Sequence, residues 1–454
     1  MKFGGVGLQD ASAMRHAAQV IKVEPGQRIV VASALRGVTD AIMNNLEPIT
    51  RDEARAHILI SELRKVHGDA TIGLQQPEIR ENCQYAVTKT IDHLARLLFG
   101  IVYTEELTPR AQDLALSFGE RLSARILSAY LNDVGLASEP FDADKLGLAT
   151  SGPFGWASPD LPTTERNLKE RLLPNANGAV PVVTGFFGAD KRGHTTILGR
   201  GGSDFSAAII ANAVNADVLE VWKETTGFMT ADPRVVPKAR RIPEMSYEEA
   251  AELSNFGAKI LHPRTVEPVS MKNIPIRIRE LKNPKSEGTL IRDYKGAPST
   301  FIRSVASRKQ LNVIKLKGPG MGYTPGVAAG VFDITRREHI NVISMAVSEA
   351  TFALLLDAQD GQRAAETLQA TKGGVIQDIE LEEKMALVAV VGKGLGNRIG
   401  SAAQILQAVA DANVNIHMIS LGASDIAINF VVNESDAEPA LRAVHAAFIE
   451  KEPT

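Results

Sequence analysis

Residues 199–204 read Gly-Arg-Gly-Gly-Ser-Asp, set between an apolar strand pattern ending at Leu198 and an alanine-rich helical pattern over Ser206–Val214. The glycines let the main chain approach a ligand closely. A helix starting at Ser203 or Asp204 aims free N–H groups at an anion. Arg200 adds a planar fork suited to a carboxylate or a phosphate. Taken alone, the six residues also fit a tight turn capped by Ser203, so the weight falls on what accompanies them.

Two further stretches accompany them. Lys2-Phe-Gly-Gly5 puts an ammonium and a glycine turn at the end of a first strand, where open α/β sheets bind ligands. Phe256-Gly-Ala-Lys-Ile-Leu-His-Pro263 offers a second cation, Lys259, beside a helix that Gly257 is placed to end. Ser33-Ala-Leu-Arg-Gly37-Val-Thr39 is another hydroxyl-and-glycine turn after the apolar run Arg28–Ala32. Val180–Phe187 and Val218–Trp222 read as strands, and residues 40–135 as largely helical. Short apolar runs alternating with helices predict a mainly parallel sheet covered on both faces. Ile274–Leu281 alternates apolar and basic residues and reads as an exposed edge strand. Asn283–Ser299, rich in proline, glycine and polar residues, reads as a linker.

Beyond the linker the chain repeats itself. Ile340–Asp357 is similar to Val414–Asn433, with Asn341 and Asn415 heading units 74 residues apart and a helix pattern before each. The expected domains are residues 1–283, a linker at 284–299, and two βαββαβ units at 300–383 and 384–454. Sheet edges in such units usually pair, so a homodimer joined through the repeat is expected.

Composition narrows the class of function. With 454 residues, a formal charge of −3 and 23% charged residues, the chain resembles an ordinary multidomain soluble protein. That balance gives no electrostatic case for nucleic acid or an anionic membrane. One cysteine, Cys83, excludes an internal disulfide and suits a reducing compartment. No signal peptide is expected, and no run reaches the roughly 18 apolar residues of a membrane span. A cytoplasmic location and no metal ligated by side chains are the expectations. No P-loop signature and no protein-kinase motif set occurs, so phosphates must be held another way.

The three stretches together resemble the aspartate kinases of the amino-acid kinase superfamily, and the repeat resembles their paired ACT domains. The resemblance spans nearly the whole chain. It implies an α/β amino-acid kinase fold and ATP-dependent phosphorylation of the aspartate side-chain carboxylate. That reaction opens the route to lysine, threonine and methionine. Carried over by residue, Lys2, Gly4 and Gly5 would cradle the transferred phosphoryl group beside Ser33, and Lys259 would reach the nucleotide phosphates. Arg200 would pair with the α-carboxylate of aspartate and Glu120 would accept its α-ammonium, with Thr39 and Ser203 completing the substrate site. Asp204 would orient Lys2; Lys223, Glu224, Phe228, Met229, Asp232 and Arg234 would border the nucleotide. Magnesium would ride mainly on the ATP phosphates. An amino-acid effector would meet Met321, Thr324, Val342, Ser348 and Glu349.

A kinase of this kind needs no general base, because an aspartate carboxylate with a pKa of about 3.9 is already ionised at neutral pH. Its task is to bring two anions into line and neutralise their charge. The sequence departs from the family in three places. Val6-Gly7 follows KFGG where two hydroxyl residues are common. The nucleotide loop reads Lys223-Glu-Thr-Thr-Gly227, with Met229 at a position often aromatic and Phe228 beside it as a substitute for stacking. Ile343 stands where lysine-sensitive relatives carry an acid, which argues against lysine as the effector. Five residues after the repeat leave no room in this sequence for a fused dehydrogenase domain. Two other readings fit the same residues: a kinase for another carboxylate such as glutamate, and a non-enzymatic amino-acid sensor.

Overall fold

The computed structural model describes residues 1–257, 260–293, 301–422 and 424–450. The chain divides into two compact units: Met1–Phe228 with Pro243–Tyr247 and Ile260–Tyr294, and Met229–Ile242 with Glu248–Lys259 and Lys295–Thr454. No helix among the described residues is long and apolar enough to cross a membrane.

The first unit is built on an eight-stranded sheet. Its strands are β1 (Lys2–Phe3), β2 (Val30–Ala32), β3 (Ser138–Phe141), β4 (Val180–Thr184), β5 (Leu219–Lys223), β6 (Glu244–Met245), β7 (Ile276–Glu280) and β8 (Thr289–Ile291). They lie in the order β6-β8-β7-β5-β1-β2-β4-β3. Only the β7–β8 pair is antiparallel. β2 and β4 are buried along their whole length, as an uninterrupted apolar run in a covered parallel sheet requires. Two-residue β1 holds the centre, with Lys2 level with Val31 on one side and Val221 on the other. Phe3 stacks on Trp222 at 5.9 Å between ring centres, a pair worth about 0.5–1.5 kcal/mol beyond its burial. Helices α1 (Phe118–Asp133) and α2 (Gly202–Val214) both pack on the sheet, and each belongs to a different group of helices.

Two sequence expectations need correction here. Ile276–Glu280 is an interior strand, not an edge, because β8 covers its outer side. Ile276 and Ile278 are fully buried, and Arg279 is paired rather than solvated. Its guanidinium meets Glu220 at 2.9 Å and Glu24 at 3.2 Å, and lies 4.6 Å from the centre of the Trp222 ring. Thr289–Ile291, which fell inside the expected linker, is that covering strand, with Thr289 and Ile291 fully buried.

The second unit is built on a six-stranded sheet. Its strands are β9 (Ser304–Lys317), β10 (Val342–Val347), β11 (Thr351–Asp357), β12 (Asp378–Val391), β13 (Met418–Ser420) and β14 (Ala427–Asn433), in the order β10-β11-β9-β12-β14-β13. The long strands β9 and β12 are shared by both repeats. Leu311–Lys317 pairs with β11 and Met385–Val391 with β14. Helices α3 (Val327–Arg337) and α4 (Ala358–Leu368) serve the first repeat, and α5 (Ser401–Asp411) and α6 (Ala437–Phe448) the second. Each repeat closes its own apolar core. Val331, Leu354 and Leu356 belong to the first; Val388, Ile405 and Phe430 belong to the second. Ala231 and Val236, far upstream in sequence, also lie in the second core.

Candidate active site

Two backbone turns leave the sheet side by side at the carboxyl ends of β1 and β2. The Ser33 N–H donates to the Phe3 carbonyl at 3.2 Å. A Cβ on Gly5 would stand 2.9 Å from the Ala34 carbonyl, so only glycine lets the turns run this close. Gly4 lies against Lys2, where an added Cβ would be 3.6 Å from Nζ. Ser33 and Thr39 are half-buried beside them.

The Gly199–Asp204 loop enters α2 with Gly199 at φ +76° and Gly201 at φ +69°, left-handed conformations that favour glycine. Its first turn delivers Asp204 to the buried Lys2, and the two form a close ion pair. The other oxygen of Asp204 accepts from Lys223 Nζ at 2.9 Å, at the end of β5. Burial alone would raise the Asp204 carboxyl, but the two ammonium groups outweigh it and hold it well below the usual carboxylate range. Burial lowers the Lys2 ammonium below its ordinary value, with Asp204 opposing and Lys223 adding to the effect. Two cations therefore share one carboxylate, leaving an excess positive charge at the strand ends.

Glu120 sits in the first turn of α1, buried to 3% exposure. Gly119 makes that approach possible, since a Cβ there would fall 2.7 Å from Ala34 Cβ and 3.7 Å from Thr39 Oγ1. Ser203 Oγ donates to Glu120 Oε1 at 3.2 Å, while Oε2 has no hydrogen-bond partner among the described residues. Burial pushes the Glu120 carboxyl up to about 7; hydrogen bonds from Ala34 and Ser203 and the charge of Lys2 oppose it. A buried carboxyl with an unsatisfied oxygen beside a hydroxyl is suited to receive an ammonium ion. Arg200 is exposed and has no intramolecular ion pair among the described residues.

The raised Glu120 value fixes a pH dependence. Between the ordinary 4.5 and about 7 the folded chain holds a proton the unfolded chain has lost, so stability falls as pH rises through that window. Above it the penalty is constant. Glu120→Gln removes the penalty. The variant is expected to be more stable than wild type at pH 8, on the order of 2 kcal/mol, and indistinguishable near pH 4.5, while its KM for an ammonium-bearing substrate rises. Thermal melts at the two pH values check this; a variant melting lower at pH 8 would mean the carboxylate stabilises the fold.

Lys2, Gly4, Gly5, Ser33, Thr39, Glu120, Ser203 and Asp204 therefore converge on one side of the first unit, with Arg200 in the adjoining loop. Other expected residues fare differently. Phe228 cannot stack on a base, because its ring is wholly buried and its N–H is committed to Thr289 Oγ1 at 2.9 Å. Glu224 is exposed on the loop after β5. Met229 and Arg234 belong to the second unit, where Arg234 grips Asp232 at 2.6 Å. Lys259 lies outside the described residues.

The five expected effector residues do not form one cluster within a chain. Glu349 accepts from the Gly320 N–H at 3.2 Å, and Thr324 donates to the Gly320 carbonyl at 3.0 Å. Ser348 caps the adjacent turn by accepting from Thr351 N–H at 3.1 Å. Met321 and Val342 pack on the first repeat's apolar core. Val342 and Ser348 stand at opposite ends of β10, about 20 Å apart at the usual strand rise. Ile343 occupies a register irregularity between Val342 and Ser344.

Sequence reasoning placed Lys223 at the nucleotide border, and nothing in its neighbours signals that its ammonium turns onto Asp204. It also missed Trp156, His262 and Arg264, which surround the Gly199–Gly202 loop. Only the HP in the quoted Phe256–Pro263 stretch hinted at them.

A family model described as the amino acid kinase family matches residues 1–280, and an ACT domain model matches 314–371 and 388–448. The chain is 32% identical to lysine-sensitive aspartokinase 3 of Escherichia coli (strain K12), over 99% of this chain and 98% of that protein. It is 33% identical to the chloroplastic aspartokinase 1 of Arabidopsis thaliana, over 99% of this chain and 80% of that one. The crystal structure of E. coli aspartokinase III in complex with aspartate and ADP (R-state) superposes with a TM-score of 0.83 at 30% identity, covering 99% of both chains. The complex of that enzyme with lysine and aspartate (T-state) gives a TM-score of 0.84 at 29% identity, covering 99% and 98%.

Proposed function

The chain belongs to the amino acid kinase family, in its aspartokinase branch, and from that premise we propose that it transfers the γ-phosphoryl group of MgATP to the side-chain carboxylate of L-aspartate. The products are 4-phospho-L-aspartate and ADP. The observation that carries this reading is buried Glu120, one oxygen unsatisfied, beside the Lys2–Asp204–Lys223 cluster. Glu120 takes the α-ammonium and Arg200 the α-carboxylate by charge-assisted bonds, which leaves the side-chain carboxylate to face the nucleotide. One of its oxygens forms a bond to the γ-phosphorus as the bond to the bridging β–γ oxygen breaks and ADP departs. Lys2 and the glycine-turn N–H groups hold the charge of the phosphoryl group in transit. Asp204 aims Lys2. Magnesium arrives on the ATP phosphates as part of that substrate.

Hydroxylamine trapping with MgATP tests the reading. Hydroxamate is expected from L-aspartate and little from L-glutamate, although one methylene limits the discrimination a pocket can achieve to about 1–3 kcal/mol. Product from neither acid, with folded protein, would leave the amino-acid sensor.

The ACT repeat supports regulation by an amino acid. The E. coli relative is solved with lysine, but Ile343 offers no carboxylate to a lysine side chain, so lysine is not the expected effector of this chain; threonine, or no small-molecule effector, is. Strong inhibition by lysine in the same assay would refute that assignment. A place at the head of the route to lysine, threonine and methionine belongs to the same reading, and so does a cytoplasmic location, which the single cysteine suits. Rescue of aspartokinase-deficient cells grown without those amino acids checks the placement in the route.

The oligomer is a homodimer joined through the second unit. Edge strand β10 exposes Met345 at 51% and Val347 at 55%, apolar surface a solitary edge would not carry. Wild type is expected to sediment as a dimer and Met345→Lys/Val347→Lys as a monomer. A dimeric double variant would move the interface elsewhere.

A further inference from the structure

Arg200 projects from a loop whose flanking glycines give it little stiffness of its own, yet the proposed chemistry needs its guanidinium held in place. The bracing comes from three rings and one arginine outside the loop. A Cβ on Gly199 would fall 2.4 Å from Trp156 Cε3, one on Gly201 2.2 Å from His262 Cγ, and one on Gly202 2.7 Å from Phe186 Cδ2. The loop is thus pressed flat against Trp156, His262 and Phe186 and fits only as glycine.

Arg264 ties these supports together. Its guanidinium carbon lies 5.0 Å from the Trp156 ring centre and 4.3 Å from that of Phe205, and so sits between Trp156 and the first turn of α2. Its Nη1 donates to the Leu198 carbonyl at 2.6 Å, immediately before the loop, and its Nη2 to the Ala157 carbonyl at 3.4 Å, immediately after Trp156. Asp113 adds a second clasp, accepting from Gly155 N–H and Ile197 N–H at 2.9 Å each. Trp156 nevertheless remains 52% exposed. A large ring left half in water contributes less to the core than its size allows, so its position on Gly199 calls for another reason.

We propose that the Trp156–Arg264–Phe205 stack is a positioning device that fixes the Gly199–Gly202 loop, and through it Arg200 and Ser203, for the α-carboxylate end of the amino-acid substrate. The proposal rests on the aspartate kinase reading. A planar cation with a fixed fork is required between the two rings, and lysine cannot replace it. Tryptophan is replaceable by another flat ring but not by a methyl group.

Steady-state kinetics of the full chain test this. Trp156→Ala and Arg264→Lys are expected to raise the KM for aspartate about 10- to 100-fold, with kcat within about threefold and the KM for MgATP unchanged. Trp156→Phe is expected to restore the KM for aspartate to within about threefold of wild type. Because Trp156 is half exposed, its variants remain folded even if those of Arg264 do not, and melting curves verify it. Folded Trp156→Ala with a wild-type KM for aspartate, or with both KM values raised equally, overturns the proposal while leaving the kinase reading intact. Failure of wild type itself to turn over aspartate removes both.

Discussion

Lys2→Ala lowers kcat for hydroxamate formation from aspartate by about a thousandfold, the scale on which a pre-aimed group stabilising transition-state charge is lost. Lys2 is nearly buried at the end of the central strand, fixed by its backbone pairing to β2 and β5. Its ammonium is therefore already desolvated and aimed before substrate arrives. Asp204, shared with Lys223, neutralises only one of the two cations. The remaining charge is available for an incoming phosphoryl group. Asp204→Asn is expected to cost less than Lys2→Ala, because it misaims the ammonium without deleting it. Retention of more than a tenth of wild-type kcat by folded Lys2→Ala would exclude Lys2 from the phosphoryl site.

Arg200→Ala separates binding from folding in the opposite way. The side chain is exposed and makes no ion pair within the described residues, so its removal leaves the melting temperature unchanged. Substrate binding loses the partner of the α-carboxylate, a penalty of roughly 2–5 kcal/mol, or at least 30-fold in KM for aspartate. The KM for MgATP stays near wild type. Initial rates across an aspartate series decide the matter: an unchanged KM for aspartate would assign the carboxylate to another cation. On these expectations Lys2 and Arg200 divide the reaction, the first acting on kcat and the second on KM.

The parts of this arrangement that were legible in the sequence are those specified locally. A short, mainly apolar run such as Val180–Thr184 reads as a covered strand, and the glycines at 5, 199 and 201 mark backbone that no side chain could share. Long-range pairing was not legible. Arg279 looked solvated because its partners, Glu24 and Glu220, lie 255 and 59 residues away. The same blindness turned an interior strand into an edge and a buried strand at Thr289–Ile291 into linker. Phe228 looked free to stack because nothing adjacent indicates that Thr289 and the core claim it. Lys223 could be read as a loop residue near nucleotide, but its turn toward Asp204 depends on the distance between β5 and α2, which no local pattern encodes. The effector positions carry the same lesson, since sequence proximity along β10 hides a strand's length between Val342 and Ser348.

The interleaving of the two compact units bears on protein engineering. Ala231 and Val236 fill the second repeat's core beside Ile302, Val305 and Val444, although they precede Ile302 by more than sixty residues. A crossover placed near residue 300 to graft a foreign effector module would leave these two side chains facing a core they did not evolve with. Recombination between homologues would tolerate a junction there only when segment 229–242 travels with the graft. In this chain the second unit is therefore a discontinuous cassette, and a library that shuffles it must cut the gene in several places at once.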